Sequence, residues 1–311
     1  MPLDPQVAAM LGGSEWPGAS SVPVDELRAL VRQFSTAAPP LPVPLASVED
    51  RSIPGPAGDI KVRIYTPEGK APFPVIVFFH GGGYVTGDLD TQDMIARGLA
   101  HGAGALTISV DYRLAPENPF PAATDDAFAA LNWAAANAAG LGGDPTKLAV
   151  AGDSAGANLS AVAALMARDA GGPALSGQAL FYGSACYPMA ETASAREFAA
   201  GPILTGEDVS YFWSQYLPQA ETQKHDFRAS PFLAASHAGL PPAFVATAEV
   251  DPTRDDAEAY GEKLSKAGVP VEIRRYEGMP HGFVSWVAFL PAAQKAVDEA
   301  CAFLKAQWAK A

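Results

Sequence analysis

Leu148-Ala-Val-Ala-Gly-Asp-Ser-Ala-Gly-Ala-Asn-Leu159 decides the reading of this chain. It opens as a short apolar run of the kind that forms a strand buried on both faces, and it closes as an alanine-rich helical stretch. Between the two, Gly152-Asp153-Ser154-Ala155-Gly156 carries glycine, serine and glycine at alternate positions. A chain that passes from strand to helix over so few residues must reverse sharply, and side chains at positions 152 and 156 would crowd the turn. Glycine at both relieves that crowding and leaves Ser154 projecting from the apex. The same turn sets Ser154 at a helix N-terminus, where unpaired N–H groups favour developing negative charge. This is a recognised nucleophile elbow, and it predicts Ser154 as a nucleophile.

Outward from the elbow, short apolar runs recur at Pro74 to Phe79, Ala105 to Val110, Gln178 to Tyr182, Ala243 to Ala248 and Val271 to Tyr276. Alanine-rich helical stretches separate most of them: Gln92 to Ala100, Ala122 to Ala138, Ala155 to Ala170 and Asp255 to Ala267. Strand alternating with helix predicts an α/β fold, a mostly parallel central sheet flanked by helices. Asp59 to Tyr65 alternates polar and apolar residues instead, as an antiparallel strand with one wet face does.

About sixty residues separate Tyr182 from Ala243, more than a crossover helix needs. The insertion holds Leu204 to Leu217, where Thr205 is placed to cap a helix whose aromatic residues form a broad apolar face. The N-terminal part combines a helical pattern over Val24 to Phe34 with a proline-rich connector from Pro39 to Pro44. The expectation is one domain over residues 1–311, with a helical cap formed by about 1–45 and an insertion at about 187–230.

Three further stretches carry chemistry. Phe78-Phe-His-Gly-Gly-Gly-Tyr84 follows a strand, and its glycines let the N–H groups of Gly81 and Gly82 turn toward one point. With the Ala155 N–H they are candidates for holding an oxyanion. Chain order places the general base after the acid, which removes His80 and His101, while His225 and His237 precede any acid that follows a strand. His281, just beyond the last strand in Gly278-Met-Pro-His-Gly-Phe283, remains. Asp251 ends the penultimate strand and is the candidate to orient that histidine. Asp255 and Asp256 fall where the next helix begins and read as dipole partners or surface charges. Activity is expected to rise with pH as the histidine loses its proton.

The net charge of −13 among 311 residues disfavours nucleic acid and anionic lipid surfaces. Residues 1–10 show no signal-peptide pattern, and no stretch is long and apolar enough to cross a membrane, so a cytoplasmic protein is expected. Cys186 and Cys301 are too far apart in sequence for a metal motif and read as free thiols. No metal site is expected.

His80-Gly-Gly-Gly83, Asp111-Tyr-Arg-Leu-Ala-Pro-Glu117, Gly152-Asp-Ser-Ala-Gly156, Asp251-Pro252 and His281-Gly-Phe283 occur in that order. On these motifs the chain resembles the bacterial hormone-sensitive-lipase-like esterases, the family IV carboxylesterases of the α/β-hydrolase superfamily. The resemblance implies a capped serine esterase that hydrolyses short- to medium-chain carboxylic esters without a cofactor. It implies Ser154, Asp251 and His281 as the triad, Gly81, Gly82 and Ala155 as oxyanion donors, and a structural His80. It also implies that Tyr112, Arg113 and Glu117 brace the site, with an Arg113–Glu117 ion pair expected. Ala157 departs from the second glycine common after the elbow. Tyr84, Tyr211, Phe212, Trp213 and Phe283 are candidates for an apolar substrate pocket. The expected partner is a small-molecule ester, and a homodimer is left open. Amidase or formamidase chemistry on the same triad, or a non-catalytic receptor of the same fold, stand as alternatives.

Overall fold

The computed structural model describes residues 3–12, 17–187 and 192–310. Among the described residues, eight strands form one sheet in the order β1-β2-β4-β3-β5-β6-β7-β8: β1 Leu45–Gly55, β2 Gly58–Pro67, β3 Phe73–Phe79, β4 Leu106–Asp111, β5 Gly143–Asp153, β6 Gly177–Phe181, β7 Ala243–Val250 and β8 Val271–Pro280. The β1–β2 and β2–β4 pairs are antiparallel, and every pair from β4 to β8 is parallel.

Accompanying it among the described residues are the α-helices α1 Pro5–Leu11, α2 Val24–Ser35, α3 Asp93–Ala103, α4 Ala122–Asn137, α5 Ala155–Asp169, α6 Ala193–Glu197, α7 Gly206–Tyr216, α8 Ala220–Gln223, α9 Arg254–Lys266 and α10 Pro291–Trp308. Along β3 the side chains alternate between two cores. Ile76 and Phe78 pack with α3 and α10, whereas Val75, Val77 and Phe79 pack with α4 and α5. Both faces are covered, which is why these strands read as unbroken apolar runs. β1 is wet along most of its length and α10 follows the last strand; neither was anticipated from the pattern.

The predicted cap helix is α7. The Thr205 hydroxyl accepts from the Asp208 N–H at 3.0 Å, and the Asp208 carboxylate accepts from the Thr205 N–H at 3.0 Å, a capping box in which each residue serves the other. Asp208 also accepts from the Ala19 N–H at 2.6 Å, which ties the N-terminal segment to this helix. Arg28 on α2 donates to the carbonyls of Val85 and Ala115 and to both oxygens of Glu117, while Arg32 bonds Asp88 and Asp90. Helix α2 is thereby fastened to the loops at the carboxyl ends of β3 and β4.

The expected Arg113–Glu117 pair does not form. Arg113 instead makes a two-pronged bond to Asp126 on α4, 2.8 Å on each prong, and the same fully buried carboxylate accepts the Arg113 N–H at 2.9 Å. One acceptor satisfies both side chain and backbone there, and Glu117 is left to Arg28. Asp255 and Asp256 are likewise more than surface charges. Asp256 is buried and accepts from the Ser184 hydroxyl and the Ala185 N–H, and Asp255 accepts from the Ser194 N–H. They anchor the segment after β6 to the start of α9. Among the described residues no helix is long and apolar enough to cross a membrane.

Candidate active site

Four loops leave the carboxyl ends of parallel strands side by side: the glycine run after β3, Ser154 after β5, Asp251 after β7 and His281 after β8. Open α/β sheets bind ligands at that edge, where the strand order reverses.

Ser154 occupies the apex of the elbow at φ 53°, ψ −119°, a left-handed backbone that a non-glycine residue adopts at a cost of order 1 kcal/mol or more. Its own N–H donates to the Phe181 carbonyl at 2.8 Å, so the strained residue is fastened to the neighbouring strand. A Cβ on Gly156 would collide with the Phe79 carbonyl, and one on Gly152 with the Gly156 carbonyl. The elbow can therefore lie against the end of β3 only with glycine at both positions.

His281 Nδ1 donates to Asp251 Oδ2 at 2.7 Å, and Ser154 Oγ donates to His281 Nε2 at 2.8 Å. Because a carboxylate only accepts, the Asp251 bond keeps the proton on Nδ1 and leaves Nε2 as the acceptor. Asp251 is fully buried, and its other oxygen accepts from the Thr253 N–H at 2.8 Å and hydroxyl at 2.9 Å. Its carboxylate is thus held from both sides. Glu249, two positions before Asp251 on β7, serves elsewhere: it accepts the Gly278 N–H at 2.8 Å and braces the strand end that leads to His281. His237 Nε2 donates to the Pro231 carbonyl, inside the segment that follows the cap.

The glycine run departs from expectation in one respect. The Gly81 N–H donates to Asp153 Oδ1 at 2.8 Å and does not face the cavity beside Ser154. Gly82, Gly83 and Ala155 line that cavity. Asp153, the neighbour of Ser154, therefore claims the first amide of the run, which leaves Gly82 and Gly83 as the glycines of the run that border the cavity. Asp153 is buried, and that burial pushes its carboxyl up to about 7 against the opposing pull of the Gly81 N–H and of His281. His80 stacks on Tyr112 with ring centres 4.2 Å apart, Tyr112 donates to the His80 carbonyl, and burial pushes the imidazole down to about 4, so it stays neutral.

Ser154 and His281 open into a cavity of about 210 Å3. Tyr84, Phe212 and Trp213 line it as expected; Tyr211 and Phe283 do not. On α7 the inward stripe is Val209, Phe212, Trp213 and Tyr216, spaced i, i+3, i+4 and i+7, and Tyr211 falls off it. Gly282, at φ 79°, turns the chain after His281, so Phe283 enters the core between Tyr182 and Tyr276. Leu204 and Val209 were missed but share the capped stretch already singled out; Gln92 and Ser285 carry no motif. Among the described residues no cluster of three or more His, Cys, Asp or Glu is placed to hold a metal ion.

The comparisons with known proteins bear on the fold and the family. Residues 76–285 match a family model described as the alpha/beta hydrolase fold. Carboxylesterase NlhH of Mycobacterium tuberculosis is 43% identical over 288 residues, 91% of this chain and 89% of the relative. The arylesterase of Saccharolobus solfataricus is 35% identical over 287 residues, 91% of this chain and 93% of the relative. A solved esterase of Pyrobaculum calidifontis superposes with a TM-score of 0.93 at 39% identity, covering 99% of both chains. The chain belongs to the α/β-hydrolase fold family, among its hormone-sensitive-lipase-like carboxylic ester hydrolases.

Proposed function

We propose that the chain hydrolyses short- to medium-chain carboxylic esters through an acyl-serine at Ser154. The reading is carried by one observation: the unbroken hydrogen-bond chain from Ser154 Oγ to His281 Nε2 and from His281 Nδ1 to Asp251, beside the glycine run. Ser154 Oγ attacks the ester carbonyl as its proton passes to Nε2. The carbonyl oxygen takes up negative charge against the N–H groups of Gly82, Gly83 and Ala155. The carbon–oxygen bond to the alcohol then breaks, and the leaving oxygen takes the proton from Nε2. Water attacks the acyl-serine with Nε2 accepting its proton, and that proton returns to Oγ as the acid leaves. Asp251 stabilises the imidazolium that exists between these transfers.

The helical cap, residues 1–45 with the insertion at 187–230, forms the apolar roof over this centre in the same proposal. Leu204, Val209, Phe212 and Trp213 support it. Residues 1–2 and 13–16 of the N-terminal part and 188–191 of the insertion lie outside the described residues. A small-molecule ester is the proposed partner. A cytoplasmic location belongs to the proposal as well, since Cys186 and Cys301 are free thiols, as a reducing compartment keeps them.

Turnover of p-nitrophenyl butyrate, together with intact-mass detection of a serine-directed phosphonate, tests the reading. The expected result is hydrolysis and a single adduct that maps to Ser154. Hydrolysis of a matched amide in preference to the ester would favour an amidase. Absence of both turnover and adduct would leave a binding protein.

A further inference from the structure

The cavity around Ser154 has two unlike walls. On the cap side stand Leu204, Val209, Phe212 and Trp213, an apolar surface. On the opposite side stand Gln92, which precedes α3, and Ser285, on the short turn Phe283–Trp286 that follows His281. The Ser285 hydroxyl donates to Gln92 Oε1 at 3.2 Å, and among the described residues the amide NH2 of Gln92 has no hydrogen-bond partner. Both side chains are only partly covered, and both face the cavity.

The reaction assigns a part of the substrate to each wall. A leaving alcohol collects its proton from His281 Nε2, so its oxygen must lie within hydrogen-bond reach of that atom, roughly 2.6–3.2 Å. Ser285 lies on the turn that follows His281 and Gln92 is bonded to it, so that wall is assigned the alcohol portion. The acyl portion, on the other side of the carbonyl carbon, is then assigned to the cap wall. At about 210 Å3 the cavity is below the roughly 300 Å3 at which small-molecule pockets usually begin, so both portions are short.

We propose that the preferred substrates join a compact apolar acyl group to an alcohol that carries a further hydroxyl group close to the ester oxygen, and that Gln92 and Ser285 select that hydroxyl. The proposal rests on the esterase reading and deepens it. A donor and acceptor pair on a cavity wall discriminates by what it loses with the wrong partner: an alcohol with a methyl group in place of the hydroxyl displaces water from Gln92 and gives nothing back.

Propyl butanoate and 2-hydroxyethyl butanoate differ by that one exchange of methyl for hydroxyl. Measured as kcat/KM with the full chain, the hydroxyethyl ester is expected to be favoured by about 3- to 10-fold, the range of one net hydrogen bond. In Gln92→Leu and in Ser285→Ala that ratio is expected to fall toward one. Equal kcat/KM for the two esters in the unaltered protein, or a ratio that persists in both variants, overturns the proposal and leaves the esterase reading intact. Turnover of neither ester overturns both.

Discussion

Ser154, His281 and Asp251 are joined by two hydrogen bonds, and the proposed mechanism depends on both. Replacing Ser154 with Ala is expected to lower kcat on a p-nitrophenyl ester by at least about 10⁴-fold, with residual activity from binding and the remaining N–H donors. A spectrophotometric assay with active-site titration measures it. Asp153 makes a different prediction. Its carboxyl is pushed up to about 7 by burial, whereas in the unfolded chain it would titrate near the ordinary Asp value of about 3.9. Between those two pH values the folded protein holds a proton that the unfolded chain has lost. Stability contributed by this group is therefore full below about pH 4 and is lost as pH rises toward 7, on the order of 1 kcal/mol per pH unit. Asp153→Asn keeps an acceptor for the Gly81 N–H and does not ionise. Urea melts at pH 4.5, 5.5 and 6.5 should show the variant gaining on the parent as pH rises; parallel curves would remove the buried-carboxyl assignment. These two neighbours also mark what was legible at this scale. The elbow and the chain order of acid and base identify Ser154, Asp251 and His281, because each follows from a local pattern. Which amides of a glycine run face the oxyanion does not follow, because it depends on a carboxylate 72 positions away that claims Gly81.

At the scale of elements, helix α7 rests on the glycine run through Phe212. A Cβ on Gly83 would overlap the Phe212 ring, and Gly83 sits at φ 61°, where any other residue is strained. Gly83→Ala is therefore expected to push the run and the cap helix apart and cost about 100-fold in kcat/KM, the scale of an ångström-sized misplacement in an active site. Phe212→Ala removes the obstruction. In a double-mutant cycle the combined variant should be better than the sum of the two single losses, with part of the deficit recovered. Strict additivity would mean that backbone strain at position 83 alone governs the effect. α7 could be read in advance because Thr205 and its apolar stripe are local signals. β1 could not, since Leu45–Gly55 is an edge strand whose side chains face water on most of its length and so carries no two-residue alternation. Tyr211 was drawn into the pocket by composition, when the spacing of Val209, Phe212, Trp213 and Tyr216 already excludes it.

The whole molecule adds what no segment contains. The sequence pattern announces alternating strands and helices, but the reversal that puts β3 between β4 and β5 depends on which face each crossover takes, and this reversal makes the crevice. Net charge is likewise a property of the whole. At −13 the protein repels anions over distances limited by the Debye length, which shortens from about 30 Å at 0.01 M salt to about 8 Å at 0.15 M. An ester that carries a carboxylate approaches the cavity against that field, and a neutral ester of the same size does not. For 4-carboxyphenyl butanoate, kcat/KM is expected to rise about 2- to 5-fold as salt increases over that range, a modest fraction of the span that steering can produce. For phenyl butanoate it should stay flat. The neutral ester controls for salt acting on the enzyme itself, so a parallel rise in both would assign the effect to the fold. A fall for the anionic ester alone would mean that the field at the cavity mouth is locally attractive despite the global charge.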